Sequence, residues 1–279
     1  RSPSRGLGDV YKRQVLQELA VVNDLEANLA TVVDGMRAAA DRGADVLVTP
    51  ELFLTGYAPL AVRAAADPQA IAGVLERVAQ ACREIGIAAV VSFPAQEPGS
   101  GPDGPWQIRA ALFDADGSRL LDYGKVHLFG GDEAAAFSPS EQAPAVVDLL
   151  GVPVSIVICF DVEFPEIVRA AAAAGAEVVL APTAMSEGFP EVSEVLLRAR
   201  ALENHAIVAY ANHAGVEDGI RYDGRSVIVG PHGRDLARAG QEPELIIADL
   251  DFEEVRRARA EIPYLDQRRP DLYSRWERG

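Results

Sequence analysis

The sequence predicts an α/β fold in which helices cover mixed β-sheets, and two observations support this prediction. Helical periodicity alternates with short apolar runs from Asp24 to Phe93, which is the pattern of α/β proteins. Beyond Phe93, paired strands follow that are joined by hairpin turns such as 114–118. Neither a purely parallel doubly wound sheet nor an eightfold barrel is built from hairpins, so we expect layered sheets of mixed strand direction.

Capping and breaking residues predict the helix boundaries. Asp24 precedes apolar residues at helical spacing, Asp67–Pro68 is a helix start with proline in the first turn, and Gly86 ends that second helix. We expect helices at 24–42, 67–85, from about 165, at 192–204 and at 253–259. The tail beyond Ile262 is polar and lacks periodicity, so we expect it to be irregular.

Short apolar runs bounded by turn residues predict the strands. These runs are 15–22, 45–49, 87–93, 108–113, 120–123, 146–149, 154–158, 178–181, 207–211, 226–230 and 245–250. No repeat or long linker divides the sequence, and we expect residues 15–279 to form a single domain that includes the C-terminal tail. Residues 1–14 are net basic and without periodicity, and we expect them to be a non-native or disordered leader outside the fold.

Composition limits the partners and the compartment. The 42 acidic and 26 basic residues give a net charge of -16, which disfavours nucleic acid and anionic membrane surfaces as partners. No apolar run approaches the roughly 20 residues of a membrane helix. The two cysteines, Cys82 and Cys159, are too few for a disulfide framework and are typical of a reducing compartment, so we expect a cytoplasmic protein.

Three residues of different chemistry lie at or just beyond predicted strand ends. Glu51 follows strand 45–49 among apolar neighbours, which raise the pKa of a carboxyl group by desolvation. Lys125 follows strand 120–123 and is one of only two lysines among 26 basic residues, which indicates a position that needs an ammonium. Cys159 lies between an apolar strand and a helix start, where backbone N–H groups lower a thiol pKa and hold an oxyanion. Together they offer a base, a cation and a nucleophile for acyl transfer.

A purely structural interpretation remains open for the cysteines. Cys82, on a predicted helix among apolar residues, is a core residue in that interpretation, and Cys159 taken alone is equally compatible with a buried strand end. The usual base for a cysteine nucleophile is histidine, of which the sequence contains four: His127, His205, His213 and His232. None of them lies in the motif context of a Cys–His protease, so a carboxylate such as Glu51 is the other candidate.

The segments that carry these residues are PELFLTGY at 50–57, YGKVHLF at 123–129 and CFDVEFPE at 159–166. In order and spacing they resemble the three motifs of the nitrilase superfamily of carbon-nitrogen hydrolases, and the resemblance extends over about 16–273. It implies a four-layer α-β-β-α sandwich of the carbon-nitrogen hydrolase type. One departure is Gly124, because an arginine or lysine commonly precedes the lysine in this family.

The same resemblance implies roles for the site residues. Glu51 would be the general base and acid, Lys125 would stabilise the tetrahedral intermediate, Cys159 would be the nucleophile, and Glu133, eight residues beyond the lysine, would join them. The residues expected to bind substrate are Tyr57, Phe160, Thr183 and Ala184, the Phe160 backbone N–H being an oxyanion donor. Neither a metal nor an organic cofactor is required.

Within the superfamily, Cys159–Phe160–Asp161 is similar to amidases and carbamoylases rather than to nitrile hydrolysers. We therefore expect an enzyme that hydrolyses small amides to a carboxylic acid and ammonia or amine through a thioester. A carbamoylase, a nitrilase and a catalytically silent binding or scaffold protein are the alternatives. The tail from Pro263 contains aromatic residues and arginines, which interfaces favour, so we expect a homodimer or a higher homo-oligomer.

Overall fold

Two six-stranded β-sheets form the centre of the computed structural model, which describes residues 11–101 and 103–278. The strands are β1 (Tyr11–Gln17), β2 (Val46–Val48), β3 (Ala88–Gln96), β4 (Trp106–Phe113), β5 (Arg119–Gly124), β6 (Val147–Leu149), β7 (Val152–Ile156), β8 (Val178–Thr183), β9 (Ile207–Asn212), β10 (Ala214–Glu217), β11 (Ile220–Asp223), β12 (Val227–Val229), β13 (Asp235–Arg238) and β14 (Glu244–Leu250). The helices are α1 (Leu25–Asp41), α2 (Pro59–Ala65), α3 (Pro68–Ile85), α4 (Gly130–Ala136), α5 (Pro165–Ala173), α6 (Leu197–Asn204), α7 (Phe252–Glu261) and α8 (Pro270–Glu277). A 3-10 helix covers Cys159–Glu163, and a π-helical turn covers Val192–Leu196.

The two large sheets share one plan. The strand order is β14-β1-β2-β3-β4-β5 in the first sheet and β13-β12-β9-β8-β7-β6 in the second. In each sheet three central strands run parallel, and each strand outside them pairs antiparallel with its neighbours. The hairpin predicted between the fourth and fifth strands is present, with Asp114 N donating to Ser118 O at 2.8 Å across the turn. The mixed strand directions are therefore as the sequence predicts.

Helices and sheets form four layers. Helices α1 and α3 pack on the outer face of the first sheet, and α5 and α6 lie on the outer side of the second. The inner faces meet through contacts of β1 with β9 and of β2 and β3 with β8. Because both faces of the central strands are covered, β2 and β8 are buried at every residue. The α-β-β-α sandwich implied by the family resemblance is confirmed.

The predicted helix signals act as expected at α1 and α3. The Asp24 side chain accepts a hydrogen bond from Ala27 N at 3.0 Å, and the Asp67 side chain accepts one from Gln69 N at 2.9 Å. Gly86 ends α3 in the left-handed conformation, with φ 79°, and its N–H donates to Cys82 O. Cys82 itself lies on the buried face of α3, as the structural interpretation of this residue requires.

The first strand differs from the prediction at both ends. It covers Tyr11–Gln17 rather than 15–22, so the backbone of residues 11–14, expected to lie outside the fold, pairs with β14. Beyond the strand, the Asn28 side chain accepts from Val21 N at 2.7 Å and donates to Val21 O at 2.8 Å, which replaces a neighbouring strand. The rest of the expected leader, residues 1–10, lies outside the described residues.

The C-terminal tail also differs, because it ends in α8 rather than in irregular chain. Pro270 occupies the first turn of this helix, where its fixed φ and missing N–H are tolerated. None of the α8 residues is buried, so its Leu272, Tyr273 and Trp276 side chains do not pack into the core of the described structure. In the part of the chain that the structure describes, no helix is both long and apolar enough to cross a bilayer.

Candidate active site

Three buried charged side chains meet where the two sheets pack together. Lys125 Nζ lies 2.7 Å from Glu51 Oε1, and 2.7 and 2.9 Å from the two carboxylate oxygens of Glu133. All three side chains are buried, so their charges are screened little by solvent. Cys159 lies beside them, close enough to interact electrostatically with both Glu51 and Lys125. The structure therefore brings together all four residues expected to be catalytic.

Glu51 is held by a turn that follows β2. Its backbone N–H donates to Thr183 O at 3.2 Å, which ties the turn to the end of β8 in the other sheet. The next residue, Leu52, has φ 51°, and its N–H donates to Ser92 Oγ at 2.9 Å. The Glu51 turn is thus anchored on both sheets.

Lys125 directly follows β5. Its backbone N–H donates to Ile108 O, and its carbonyl accepts from Ser140 N, each at 2.8 Å. At the preceding residue, Gly124, an added Cβ would lie 2.8 Å from Arg109 Nη1 and 2.8 Å from the Ser140 side chain. The departure from the family pattern at this position therefore has a local cause, because buried Arg109 fills the space that a larger residue would need.

Cys159 begins the 3-10 helix that follows β7 and has φ 47°, a left-handed conformation that is unusual for a residue other than glycine. Its side chain is 5 % exposed. The thiol forms a hydrogen bond with the Ala184 backbone, so Ala184 lies at the sulfur. Strained backbone of this kind is found preferentially at functional sites, where surrounding contacts hold it in place.

Burial and charge together set the protonation states. Burial raises the pKa of Glu51, the Lys125 ammonium lowers it and the Glu133 carboxylate raises it, and the result is about 7. Burial and the Glu51 charge raise the pKa of Cys159 well above its usual range, although Lys125 opposes them. Burial lowers the pKa of Lys125, but the negative charges of Glu51 and Glu133 outweigh this and raise it. At neutral pH the site therefore holds a neutral thiol, a fixed ammonium and a carboxyl that titrates.

Glu133, on α4, is held from three sides. Besides its contacts with Lys125, it accepts hydrogen bonds from the Tyr57 hydroxyl and from Phe129 N, the latter at 2.8 Å. Burial, followed by the charges of Glu51 and Glu133, raises the pKa of Tyr57 above its usual range, so its hydroxyl stays protonated and donates. Tyr57 thus contacts the site through its hydrogen bond to Glu133.

The remaining residues expected to bind substrate lie around this cluster. Thr183 is buried, its carbonyl accepts from Glu51 N, and its hydroxyl donates to Ala181 O at 3.1 Å. The Phe160 ring packs edge-on against Phe129, with ring centroids 5.3 Å apart. Phe129 in turn packs edge-on against Phe189 at 6.3 Å, and the side chains of Phe129 and Phe189 are exposed. Aromatic rings therefore extend from the buried cluster to the surface.

Sequence reasoning missed Asp161 as a functional residue, although it lies within the third motif. Its buried carboxylate accepts from the Tyr123 hydroxyl at 2.9 Å and from His127 N at 2.8 Å, on the lysine side of the site. It also accepts from Ile158 N at 3.3 Å, on the cysteine side. Asp161 thus joins the segments that carry Lys125 and Cys159.

The contacts of His127 do not support it as the base. Its Nδ1 lies 3.0 Å from Asp161 Oδ1, and its ring stacks on Phe164 with centroids 3.7 Å apart. The histidine nearest to Glu51 is instead His213, whose Nε2 lies 2.7 Å from the Glu51 backbone oxygen. This histidine contacts the backbone of the expected base rather than the thiol.

Comparison with known proteins agrees with the geometry of the site. The model of the carbon-nitrogen hydrolase family matches residues 13–260. A Pseudomonas protegens protein named hydrolase in pqqF 5′ region is 40% identical over 252 residues, which cover 90% of this chain and 86% of that protein. A 2-oxoglutaramate amidase from Paenarthrobacter nicotinovorans is 30% identical over 282 residues, which cover 98% of this chain and 93% of that protein.

A solved structure of similar fold carries a modified cysteine. It is a mutant of the amidase from Nesterenkonia sp. AN1 that shows covalent addition of the acetamide moiety of fluoroacetamide at the active-site cysteine. Its chain is 40% identical to this one, the TM-score is 0.87, and the match covers 98% of this chain and 100% of that chain. The similarity extends over whole chains and is not limited to the motifs.

Proposed function

The chain belongs to the carbon-nitrogen hydrolase family, and from this premise we propose that it hydrolyses small amides through a thioester formed on Cys159. It is a hydrolase of non-peptide carbon–nitrogen bonds and an amidase of the nitrilase superfamily. The observation that carries the proposed mechanism is the buried Glu51–Lys125–Glu133 cluster beside the thiol. It supplies a carboxyl that titrates near pH 7 next to a nucleophile that needs a base.

In the acylation step, the Glu51 carboxylate takes the thiol proton while the sulfur attacks the amide carbonyl carbon. The carbonyl oxygen becomes an oxyanion, which the Lys125 charge and the Phe160 backbone N–H stabilise. Protonated Glu51 then gives its proton to the amide nitrogen, the carbon–nitrogen bond breaks, and ammonia or amine leaves the thioester behind. The same carboxyl is thus base and acid, for which a pKa of about 7 is well suited.

In the deacylation step, Glu51 takes a proton from water while the water oxygen attacks the thioester carbon. The second tetrahedral intermediate then collapses, the carbon–sulfur bond breaks, and a carboxylic acid is released. Glu51 returns its proton to the sulfur, which restores the neutral thiol. Each proton taken by Glu51 is therefore given back within the same half of the cycle.

Lys125 contributes mainly through its charge. An ammonium has three N–H groups, and in this structure they face Glu51 and both oxygens of Glu133. Glu133 in turn has no proton to move in the scheme, so its role is to hold the ammonium in position. A compact point charge fits this enclosure, whereas a planar guanidinium does not.

The substrate is proposed to be a small uncharged amide. Phe160, next to Cys159, packs against Phe129, and Phe129 packs against the exposed Phe189, so these rings offer apolar contact to a short acyl chain. Ammonia release from propionamide, from an N-carbamoyl amino acid and from a nitrile, measured side by side, tests this. Propionamide is expected to react fastest, and faster release from either competitor would overturn the substrate assignment.

The covalent mechanism is tested by mass spectrometry of the enzyme quenched during turnover. An adduct with the mass of the acyl group is expected on the peptide that contains Cys159. The matched control is the peptide that contains Cys82, the other free cysteine of the chain, which should stay unmodified. Turnover without an adduct in wild-type enzyme or in variants slowed in deacylation would contradict the thioester.

We further propose a homodimer in the cytoplasm. The C-terminal helix α8 buries none of its residues, Trp276 is 68 % exposed, and a cavity of about 330 Å³ separates α8 from α5. Such a face suits a second copy, because interfaces favour aromatic residues and arginine. Light scattering on the full chain and on one ending at Ile262 is expected to give a dimer and a monomer, respectively.

The proposed compartment is the cytoplasm, because the two free thiols, one of them the proposed nucleophile, suit a reducing environment. Cell fractionation would test this location.

A further inference from the structure

Two more titratable side chains are buried directly behind the Glu51 turn, and the mechanism above does not use them. His213 lies between β9 and β10, and Glu217 is the last residue of β10. Both are buried. His213 Nε2 lies 2.7 Å from the Glu51 backbone oxygen, and His213 Nδ1 lies 3.2 Å from Glu217 Oε2. The histidine thus links a buried carboxyl to the backbone of the proposed base.

His213 and Glu217 face each other through one nitrogen and one oxygen atom. The Glu51 carbonyl oxygen only accepts hydrogen bonds, so His213 Nε2 carries a hydrogen and donates it. Among the described residues, neither His213 Nδ1 nor Glu217 Oε2 makes a hydrogen bond of normal geometry, so the two atoms face each other at 3.2 Å in a dry interior.

The second oxygen of Glu217 holds a different residue of the site. Oε1 accepts the backbone N–H of Tyr57 at 2.5 Å, and the Tyr57 hydroxyl donates to Glu133. The approach is so close that a Cβ at Gly56, which has φ 76°, would lie 2.5 Å from the same oxygen. Glu217 is therefore held at fixed distance from the segment that carries both Glu51 and Tyr57.

Aromatic rings fix the orientation of the histidine. The His213 ring lies 5.0 Å from the Tyr222 ring and 5.7 Å from the Phe53 ring, measured between centroids. The Tyr222 hydroxyl donates to Tyr57 O at 3.3 Å, which adds another contact to the same segment. The titratable or charged groups that surround the pair are Tyr57, Tyr222 and Asp218, with Glu51, Glu133, Lys125 and Cys159 beyond them.

We propose that His213 and Glu217 are positioning residues for the amidase site, which hold the backbones of Glu51 and Tyr57 without touching the substrate. The inference rests on the proposed function, because it takes Glu51 as the base. A displacement of about 1 Å at a catalytic group can lower a rate by about 100-fold, so loss of these backbone contacts should have a large effect on kcat.

The first test is His213→Phe, which keeps an aromatic ring among aromatic neighbours but removes both nitrogens. We expect kcat to fall about 10- to 100-fold with KM changed less than about threefold, because orientation is lost rather than binding. Removing the imidazole also frees the Glu51 backbone, so the carboxyl group moves relative to Lys125, whose charge lowers its pKa. The acid limb of the pH profile of kcat/KM should therefore move to higher pH.

The second test compares two substitutions at Glu217. In Glu217→Gln the amide oxygen accepts from Tyr57 N, and the amide NH₂ donates to a neutral His213, so kcat should stay within about tenfold of wild type. Glu217→Leu is close in size but makes neither contact, and it should lower kcat about 100-fold. Partial rescue by glutamine separates positioning from packing, because both substitutions fill the space.

The matched control is His205→Asn. His205 is a buried histidine whose Nδ1 lies 3.2 Å from a backbone oxygen, that of Pro231, and its left-handed backbone is one that asparagine tolerates. This variant should lose thermal stability and keep its kcat and pH profile. If His213→Phe also keeps kcat within about threefold and an unchanged pH profile, the positioning role is wrong.

The test of this proposal does not depend on the correct folding of any single variant. If His213→Phe fails to fold, the Glu217 variants decide, and equal kcat values for glutamine and leucine would overturn the proposal. Alkylation of Cys159 by iodoacetamide, followed in each variant, reports on Glu51 without substrate turnover and should fall in parallel with kcat. Failure of the proposed function itself is recognised separately, by the lack of any acyl adduct on Cys159 in the wild-type enzyme and in the variants slowed in deacylation.

Discussion

The chain contains two buried cysteines in two different surroundings. Cys82 lies on the inner face of α3, where burial, and to a smaller extent the charge of Asp114, raises its pKa to about 12. Cys159 is also buried and also has a raised pKa, but it lies next to Glu51, Lys125 and the Ala184 backbone. Burial alone makes a thiol inert, so the difference between the two lies in the carboxyl group and the ammonium beside Cys159.

The largest effect expected from this comparison is that of removing each thiol. Cys159→Ala should lower kcat by about 10³-fold or more, because a covalent nucleophile is lost. Cys82→Ala should leave kcat/KM within about twofold and lower the free energy of unfolding by about 1 kcal/mol, since it removes a packed sulfur from the core. Steady-state kinetics and urea unfolding measure both. Comparable kinetic losses in the two variants would remove the distinction.

The ammonium beside Cys159 is tested by Lys125→Arg. We expect a loss of about 100-fold or more in kcat/KM, close to that of Lys125→Ala, because a guanidinium does not fit between Glu51 and Glu133 at 2.7 Å. The control is Arg77→Lys, an exposed ion pair with Glu26 that should be silent. A Lys125→Arg enzyme within about tenfold of wild type would show that any cation suffices.

The base is distinguished from the second carboxylate by Glu51→Gln and Glu133→Gln. Both should be inactive with amides, but only the first lacks the group that takes the thiol proton. Alkylation of Cys159 by iodoacetamide, measured by mass spectrometry, should therefore be about tenfold slower or more in Glu51→Gln than in Glu133→Gln. Equal alkylation rates in the two variants would assign the same role to both carboxyl groups.

The smallest effect expected is in the pH dependence. Glu51 acts as base when ionised, so the alkylation rate of Cys159 should rise about tenfold between about pH 6 and 8, with a midpoint near 7. The Lys125 charge lowers the pKa of Glu51, so Lys125→Met should move that midpoint to higher pH. A rate that does not change over this range in wild-type protein would exclude Glu51 as the titrating group.

Much of the site is predictable from local sequence. Glu51, Lys125 and Cys159 each lie at or just beyond the end of a predicted strand, which local sequence indicates. Their strands are not neighbours, since β2 and β5 are separated by two strands in the first sheet and β7 lies in the second, so the meeting of the three residues depends on the packing of the two sheets. Glu133 is different, because it lies on a helix of seven residues whose pattern is too short to read, and it was expected only from the family resemblance. What periodicity predicts is the position of a residue along an element.

The residues that support the site are not predictable in this way. His213 contacts Glu51 and Glu217 contacts Tyr57, and in each case about 160 residues of chain separate the partners. In a similar way, the backbone of Val21, which the apolar pattern assigns to the first strand, forms hydrogen bonds with the side-chain amide of Asn28. Contacts of this kind form only in the assembled fold, and a local sequence pattern contains no information about them.

The pairing of β1 with β14 has a consequence for synthesis on the ribosome. The register joins Tyr11 to Leu250, and the Gln17 side chain donates to Gly240 O and Glu242 O at 2.9 and 2.6 Å. These partners are translated more than 220 residues after Gln17. One edge of β1 therefore stays unpaired until the chain through β14 has left the exit tunnel. Nascent chains that stall earlier expose this strand edge to neighbouring chains on the same polysome.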